Sequence, residues 1–243
     1  MKDVKLSICI SYWNRGELLR QSLSRMKELY NSRDGIEICI VDDGSREGPE
    51  SFIPKNFPLD VKIEHLPFHE DFRSPGIAIN KAVDIAEGRI IGITQPEIYH
   101  LTPVAIEAIE FFETENREGC WISTPTFVMR ENKNEVVINS RRVDYVDAEL
   151  LIGPNRPERK PIYYFGSMLK TDFYGVGKID ESYSRKNFGN EDNEFIDRLE
   201  DNLFDFYWSY GHVVHLWHEG PEEVNPFVHT DRFFWGTEKL TKK

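Results

Sequence analysis

Apolar and polar positions follow two different periods along the first half of the chain. Lys5 to Ser11 is a β-rich run, whereas Glu17 to Tyr30 carries Leu18, Leu19, Leu23, Met26 and Leu29 at helical spacing. Ile36 to Val41 is apolar apart from Glu37 and stops at Asp42-Asp43-Gly44-Ser45, which predicts a buried strand ended by a sharp turn. Val61 to Leu66 predicts a weaker strand, and Pro75 to Ala86 a helix with proline at its first position. Arg89 to Thr94 predicts another buried strand, and Pro103 to Phe112 another helix. Strands alternating with helices predict an α/β fold, with a mostly parallel central sheet flanked by helices on both faces. Ligands of such sheets bind beyond the carboxyl ends of the strands, where this chain places Trp13-Asn14-Arg15, Asp42-Asp43 and Gln95-Pro96-Glu97.

The second half is less regular. Gly119 to Met129 predicts one strand, and Tyr163 to Leu169 another, followed by a turn over Phe173-Tyr174-Gly175-Val176-Gly177. Arg130 to Lys160 is polar, holds Arg141-Arg142, Pro154 and Pro157, and predicts excursion loops with a short hairpin. His212 to Trp217 predicts a last short strand. In Asn187 to Leu199 an aromatic-Gly turn leads into an acidic pair, and Phe195, Ile196 and Leu199 then share one helix face. Two readings of that segment stand side by side. Asn190 caps an ordinary helix whose dipole favours Glu191, Asp192 and Glu194, or Asp192 or Glu191 is a general base at the mouth of a site.

Charge narrows the partners. The formal net charge of -12 over 243 residues argues against a general nucleic-acid binder. It is compatible with a nucleotide, provided a metal or a few local cations offset the phosphates. Cys9, Cys39 and Cys120 lie far apart in apolar runs and read as small buried hydrophobes with no disulfide framework. The N-terminus runs into a strand pattern rather than a signal peptide, and no apolar run reaches the roughly 18 to 20 residues of a membrane span. A soluble, cytoplasmic protein is the expectation.

Five motifs then occur in order: Ser11-Tyr12-Trp13-Asn14-Arg15, Val41-Asp42-Asp43-Gly44-Ser45, Phe72-Arg73-Ser74-Pro75-Gly76-Ile77-Ala78-Ile79-Asn80, Asn187-Phe188-Gly189-Asn190-Glu191-Asp192 and His215-Leu216-Trp217-His218. Each alone is a weak signal, Asp-Asp-Gly-Ser being a common strand-end turn; five in order, at the ends of the right elements, are a strong one. From Lys5 to His218 the chain resembles a family 2 type glycosyltransferase of GT-A fold, and in particular its galactosyltransferase-like and chondroitin-polymerase-like branch.

The resemblance implies one GT-A domain over residues 1–243, with a nucleotide-binding half (1–115), an acceptor-side half (116–218) and a tail (219–243); from its position alone, the tail with Phe227 and Phe233-Phe234-Trp235 is expected to close over the donor as a lid. It implies a nucleotide-diphosphate sugar donor, usually UDP-linked, bound by Ser11, Trp13, Arg15, Asp42, Asp43 and Arg73. Trp13 would stack on the base, Asp42 or Asp43 would accept from the uracil imide, and Arg73 would meet the diphosphate or base. Where the family has Asp-x-Asp this chain has Gln95-Pro96-Glu97, so Glu97 and His215, or His218 in its place, would hold Mn²⁺ or Mg²⁺, with imidazole favouring Mn²⁺. Asp192 becomes the base and Glu191 orients the acceptor, a hydroxyl of a glycan, glycoprotein or glycolipid, in an inverting transfer. Gly166, Phe188 and Gly189 would lie against donor or acceptor sugar, and Tyr207, Trp208 and Tyr210 offer flat faces of the kind sugars stack on.

Plainer readings compete at each position. Asp42 can be a structural turn cap, Arg73 a surface arginine, Glu97 a solvated acid and His215 a half-buried strand residue. Gln95 supports an inactive GT-A-like nucleotide- or carbohydrate-binding module as the alternative function. A nucleotidyltransferase fits less well, because Ser11 to Gly16 has one glycine and no phosphate-loop fingerprint is present.

Overall fold

In the computed structural model, the described residues are 3–69, 73–114, 117–129, 131–144, 146, 148–155, 162–182 and 191–218. The first half forms as its periodicity predicts: β1 (Leu6–Tyr12), α1 (Gly16–Leu29), β2 (Ile36–Asp42), β3 (Asp60–His65), α2 (Pro75–Ile85) and β4 (Ile90–Thr94). The Ser74 hydroxyl accepts from Gly76 N and Pro75 fills the first turn, so α2 starts where its sequence signals say. Then come β5 (Ile98–His100), α3 (Val104–Thr114), β6 (Cys120–Ser123), β7 (Thr126–Met129), α4 (Asn134–Ser140) and β8 (Ala148–Ile152). β9 (Phe165–Leu169), α5 (Lys170–Gly175), α6 (Glu191–Asp201), β10 (Asp205–Trp208) and β11 (Val213–His215) complete the described elements.

Seven strands form the main sheet in the order β10-β6-β9-β4-β1-β2-β3. All neighbours are parallel except β9, which runs antiparallel to both β4 and β6. β1 and β2 are apolar on both faces because both faces are covered. Leu6, Ile8 and Ile10 join Leu19, Leu23 and Met26 of α1 and Val104 and Ala108 of α3 in one core. Cys9, Cys39 and Val41 join Ala78, Ile79 and Val83 of α2 and Phe195, Ile196 and Leu199 of α6 in the other. The strand order reverses at β1, which has β2 on one side and β4 on the other. That reversal opens a crevice at the carboxyl ends of β1 and β4.

The second half departs from the sequence reading at several points. The run from Gly119 to Met129, predicted as one strand, is two strands in different sheets. Pro125 interrupts it: proline has no N–H for a strand ladder, and its carbonyl instead accepts from Val213 N. β6 stays in the main sheet, whereas β7 joins a four-stranded sheet of order β5-β11-β7-β8. The segment predicted as loops between 130 and 160 contains α4 and β8, the latter antiparallel to β7. Val137 of α4 packs with Tyr99, Met129, Val214 and Leu216 in a small core under the second sheet. The turn predicted over 173–177 is in part the end of α5, and the short strands β5 and β10 were not predicted.

The three cysteines are buried and free, as their apolar surroundings suggested. The flat faces expected of Tyr207 and Trp208 are largely taken up by packing. Tyr207 meets Phe111 at 4.9 Å, and Trp208 lies against the cluster of Val128, Leu151 and Ile152; Tyr210 is exposed. The tail over 219–243 lies outside the described residues. Among the described residues no helix is long and apolar enough to cross a membrane.

Candidate functional site

Register brings the predicted metal ligands together. His215 at the end of β11 stands opposite Ile98 of β5, and Leu216 N donates to the Glu97 carbonyl at 3.0 Å. Glu97 is thereby fixed beside the histidine strand although 118 positions separate Glu97 from His215 (215 minus 97). Its Oε1 lies 3.7 Å from His215 Nε2 and 3.6 Å from His218 Nε2, and the three residues each offer a donor atom within 4.8 Å of the others. Sequence reading treated His215 and His218 as alternatives; the structure holds both. Their rings are 5.1 Å apart, and Tyr164 meets the His215 ring edge-on at 5.8 Å.

Arg15, from the loop after β1, approaches the other face of the same carboxylate, with Nε 3.8 Å from Glu97 Oε2. That oxygen is buried and makes no hydrogen bond among the described residues. Burial opposes ionisation of Glu97, but Arg15, His218 and His215 outweigh it and hold the carboxyl far below the usual range. Burial lowers His215 to about 4, against the attraction of Glu97, so its imidazole is neutral near pH 7, the form in which one ring nitrogen carries a lone pair. Two imidazoles and one ionised carboxylate, with one donor atom each inside a 4.8 Å span, are the ligand types that suit a divalent transition-metal cation. Gln95, on the strand end that precedes them, donates weakly from Nε2 to the Tyr163 carbonyl at 3.4 Å, and its Oε1 is buried without a hydrogen bond.

The loops after β1 and β2 are bound to each other. Tyr12 pairs with Asp42 in register, Asp43 N donates to the Tyr12 carbonyl, and Asn14 N donates to Ser45 Oγ. Asn14 has a φ of 49°, and Gly44 one of 80° with Pro67 and Phe68 backbone where a side chain would be, so glycine is required there. Ser11 is half-buried and Trp13 is 40% exposed beside this loop pair. Asp42 is committed to structure: Oδ1 accepts from Ser45 N at 2.9 Å, and Oδ2 meets His65 Nδ1 at 2.9 Å. Asp43 Oδ1 pairs with Arg73 at 2.8 Å, and its Oδ2 lies 3.6 Å from His69 Nε2. Burial raises the Asp43 carboxyl, with Arg73 and His69 pulling the other way. The arginine allowed as a surface residue is therefore largely buried against an acid of the candidate site.

Glu191 and Asp192 open α6, where Glu191 is buried and Asp192 Oδ1 accepts from Asn193 N at 2.7 Å. Burial and then the charges of Glu191, Asp192 and Glu194 push the Tyr163 hydroxyl up. Phe188 and Gly189, with Asn190, lie outside the described residues. At Gly166 the space a side chain would take is filled by the buried Trp121 indole. The close approach there is made by a core residue.

Neither His65 nor His69 stands out in the sequence. The available signal for the histidines was register: the run ending at His65 finishes level with Asp42, its partner on β2.

The family model described as glycosyl transferase family 2 matches residues 7–171. No curated protein sequence matches the chain significantly. Among solved structures, a mannosyltransferase from Pyrobaculum calidifontis in complex with GDP-Man and Mn²⁺ superposes with a TM-score of 0.60 at 12% identity, covering 89% of this chain and 58% of that one. S. aureus TarS superposes with a TM-score of 0.58 at 14% identity, covering 88% of this chain and 35% of that one. A shorter form of TarS, residues 1–349, gives 0.57 at 15% identity, covering 87% and 58%. The chain thus spans between about a third and three fifths of the length of these structures. At such identities the likeness establishes the fold, which is GT-A.

Proposed function

The chain belongs to glycosyl transferase family 2, and from that premise we propose that it moves a sugar from a nucleotide-diphosphate donor to a hydroxyl of a glycan, glycoprotein or glycolipid. The observation that carries this reading is the cluster of Glu97, His215 and His218, with Arg15 beside it, at the crevice where the main sheet reverses. A divalent cation bound there supplies positive charge to the leaving diphosphate. On this chain the two imidazoles and Glu97 would hold the cation, a set that favours Mn²⁺ over Mg²⁺.

The chain's own residues do the rest. Trp13 presents a half-exposed face for the base, and Asp43 keeps acceptor capacity beside its Arg73 bond, which suits the imide N–H of uracil and so a UDP-linked donor. Arg15 and Arg73 supply local positive charge in a chain that is acidic overall. Asp192 takes the proton of the attacking hydroxyl, with Glu191 orienting the acceptor. Attack opposite the leaving diphosphate inverts the anomeric carbon. Two halves of a single domain share the work, with nucleotide on 1–115 and acceptor on 116–218.

Thermal unfolding with UDP, GDP, dTDP and CMP, each with Mn²⁺ and with a chelator, tests this reading. A ligand that binds only the folded state raises the unfolding temperature by mass action. A shift specific to UDP and dependent on Mn²⁺ is the expected result, and release of UDP from UDP-sugars in the presence of acceptor should follow. A UDP shift indifferent to the chelator would remove the metal from the mechanism. No shift with any nucleotide would overturn the transferase in favour of a binding module.

A further inference from the structure

His65 stands at the end of β3 between two carboxylates. Nδ1 is 2.9 Å from Asp42 Oδ2, and Nε2 is 2.7 Å from Glu50 Oε1. A neutral imidazole carries one N–H and satisfies one of these acceptors; only the imidazolium donates to both. Asp42 in turn holds Ser45 N, and Ser45 Oγ holds Asn14 N, so a chain of hydrogen bonds runs from Glu50 through His65 and Asp42 into both loops of the nucleotide site. Asp43, which faces Arg73, is the next residue along.

We infer that His65 is a positioning residue for the donor nucleotide: as a double donor bridging Asp42 and Glu50, it locks the 42–45 turn that presents Asp43 and, through Ser45, holds the loop that carries Trp13. The inference rests on the nucleotide-binding role proposed above. It assigns Asp42 to the scaffold and leaves Asp43 as the acid that meets the ligand.

The charged groups facing His65 are Asp42 from β2 and Glu50 from the short 3-10 turn Pro49–Phe52. Glu47, whose carbonyl accepts from the Tyr12 hydroxyl, lies behind them. Burial, Asp42, Glu47 and Glu50 push Tyr12 up to about 12, so it stays neutral across the range that matters. Hydrogen bonds to Asp42 and then to Glu50 raise the His65 imidazolium above its ordinary value. A raised histidine keeps its contribution below the ordinary value near 6.5 and loses it as pH climbs through the folded value. Half of the side chain is exposed, so solvent moderates the effect.

The experiment is calorimetric titration of UDP and GDP from pH 6.5 to 8.5 with saturating Mn²⁺. It compares wild type, His65→Gln, Glu50→Gln and, because His69 is the other imidazole at this loop, His69→Gln. Wild type should bind severalfold more weakly at the alkaline end, and His69→Gln should keep that step. His65→Gln should bind weakly with a flat profile, and Glu50→Gln should move the step to lower pH while binding normally at pH 6.5. A wild-type profile that is flat, or that His65→Gln reproduces, overturns the inference and leaves nucleotide binding intact. No binding of either nucleotide by wild type at any pH overturns both.

Discussion

Glu97 divides its carboxylate between two kinds of partner. Oε1 faces His215 and His218 at 3.7 and 3.6 Å, and Oε2 faces Arg15 at 3.8 Å. The arginine and the imidazoles thus address different oxygens of one carboxylate. The charge of Arg15 helps to hold the one acid of the cluster ionised.

Removing that acid should disable the site without unfolding it. Glu97→Gln keeps the shape but loses the charge, and its affinity for Mn²⁺ should fall by about 10–100-fold or more, the range seen even for groups one step removed from a metal. Calorimetric titration of Mn²⁺ in the absence of nucleotide reads this directly. Unchanged Mn²⁺ affinity would mean the cluster is not the cation site.

Asp192→Asn should separate binding from chemistry. Loss of a general base lowers turnover by about 10²–10⁴-fold, while the affinity for donor nucleotide stays within about twofold of wild type, because uniform binding is untouched. Single-turnover transfer assays and nucleotide titration on the same preparation supply the two numbers. A variant that keeps full turnover would shift the role to Glu191.

Acid should destabilise the fold through His100. It is fully buried, with Nδ1 2.7 Å from the Tyr30 hydroxyl, and burial followed by Arg25 lowers it to about 3. Below its ordinary value near 6.5 the unfolded chain takes up a proton that the folded chain refuses, so stability falls as pH drops from about 6.5 towards 3. The slope from this group approaches about 1.4 kcal/mol per pH unit. Denaturant melts between pH 7 and pH 5 should show it, and His100→Gln should flatten the slope even though it lowers stability at pH 7.

Two glycine substitutions should differ sharply. A methyl group at Gly166 would overlap the Trp121 indole, whereas nothing lies within 4 Å of one at Gly175. Gly166→Ala should cost about 1–3 kcal/mol through overpacking, seen as a fall in Tm of roughly 2–4 °C for each kcal/mol. Gly175→Ala should stay within about 0.5 kcal/mol of wild type. Equal melting temperatures would show that the core beside β9 yields to the added methyl.

The sequence by itself determined the half of the molecule whose information is local. β1 to β4 and their helices could be read because a strand covered on both faces must be continuously apolar and a helix must repeat near 3.6 residues. Asp42, Asp43 and Glu97 were placed at strand ends by the abrupt stop of those runs. Tertiary structure alone decided the rest. Pro125 sends β7 into a second sheet, and the three-residue strands β5 and β11 are too short for a period, so the pairing of His215 with Ile98 could not be read from either. That pairing is what makes Glu97, His215 and His218 one cluster. The sequence likewise left Asp42 and Asp43 equivalent. Only the contact of His65 with the first, and of Arg73 with the second, tells the two apart, because a carboxylate's role is set by which donors reach it through space.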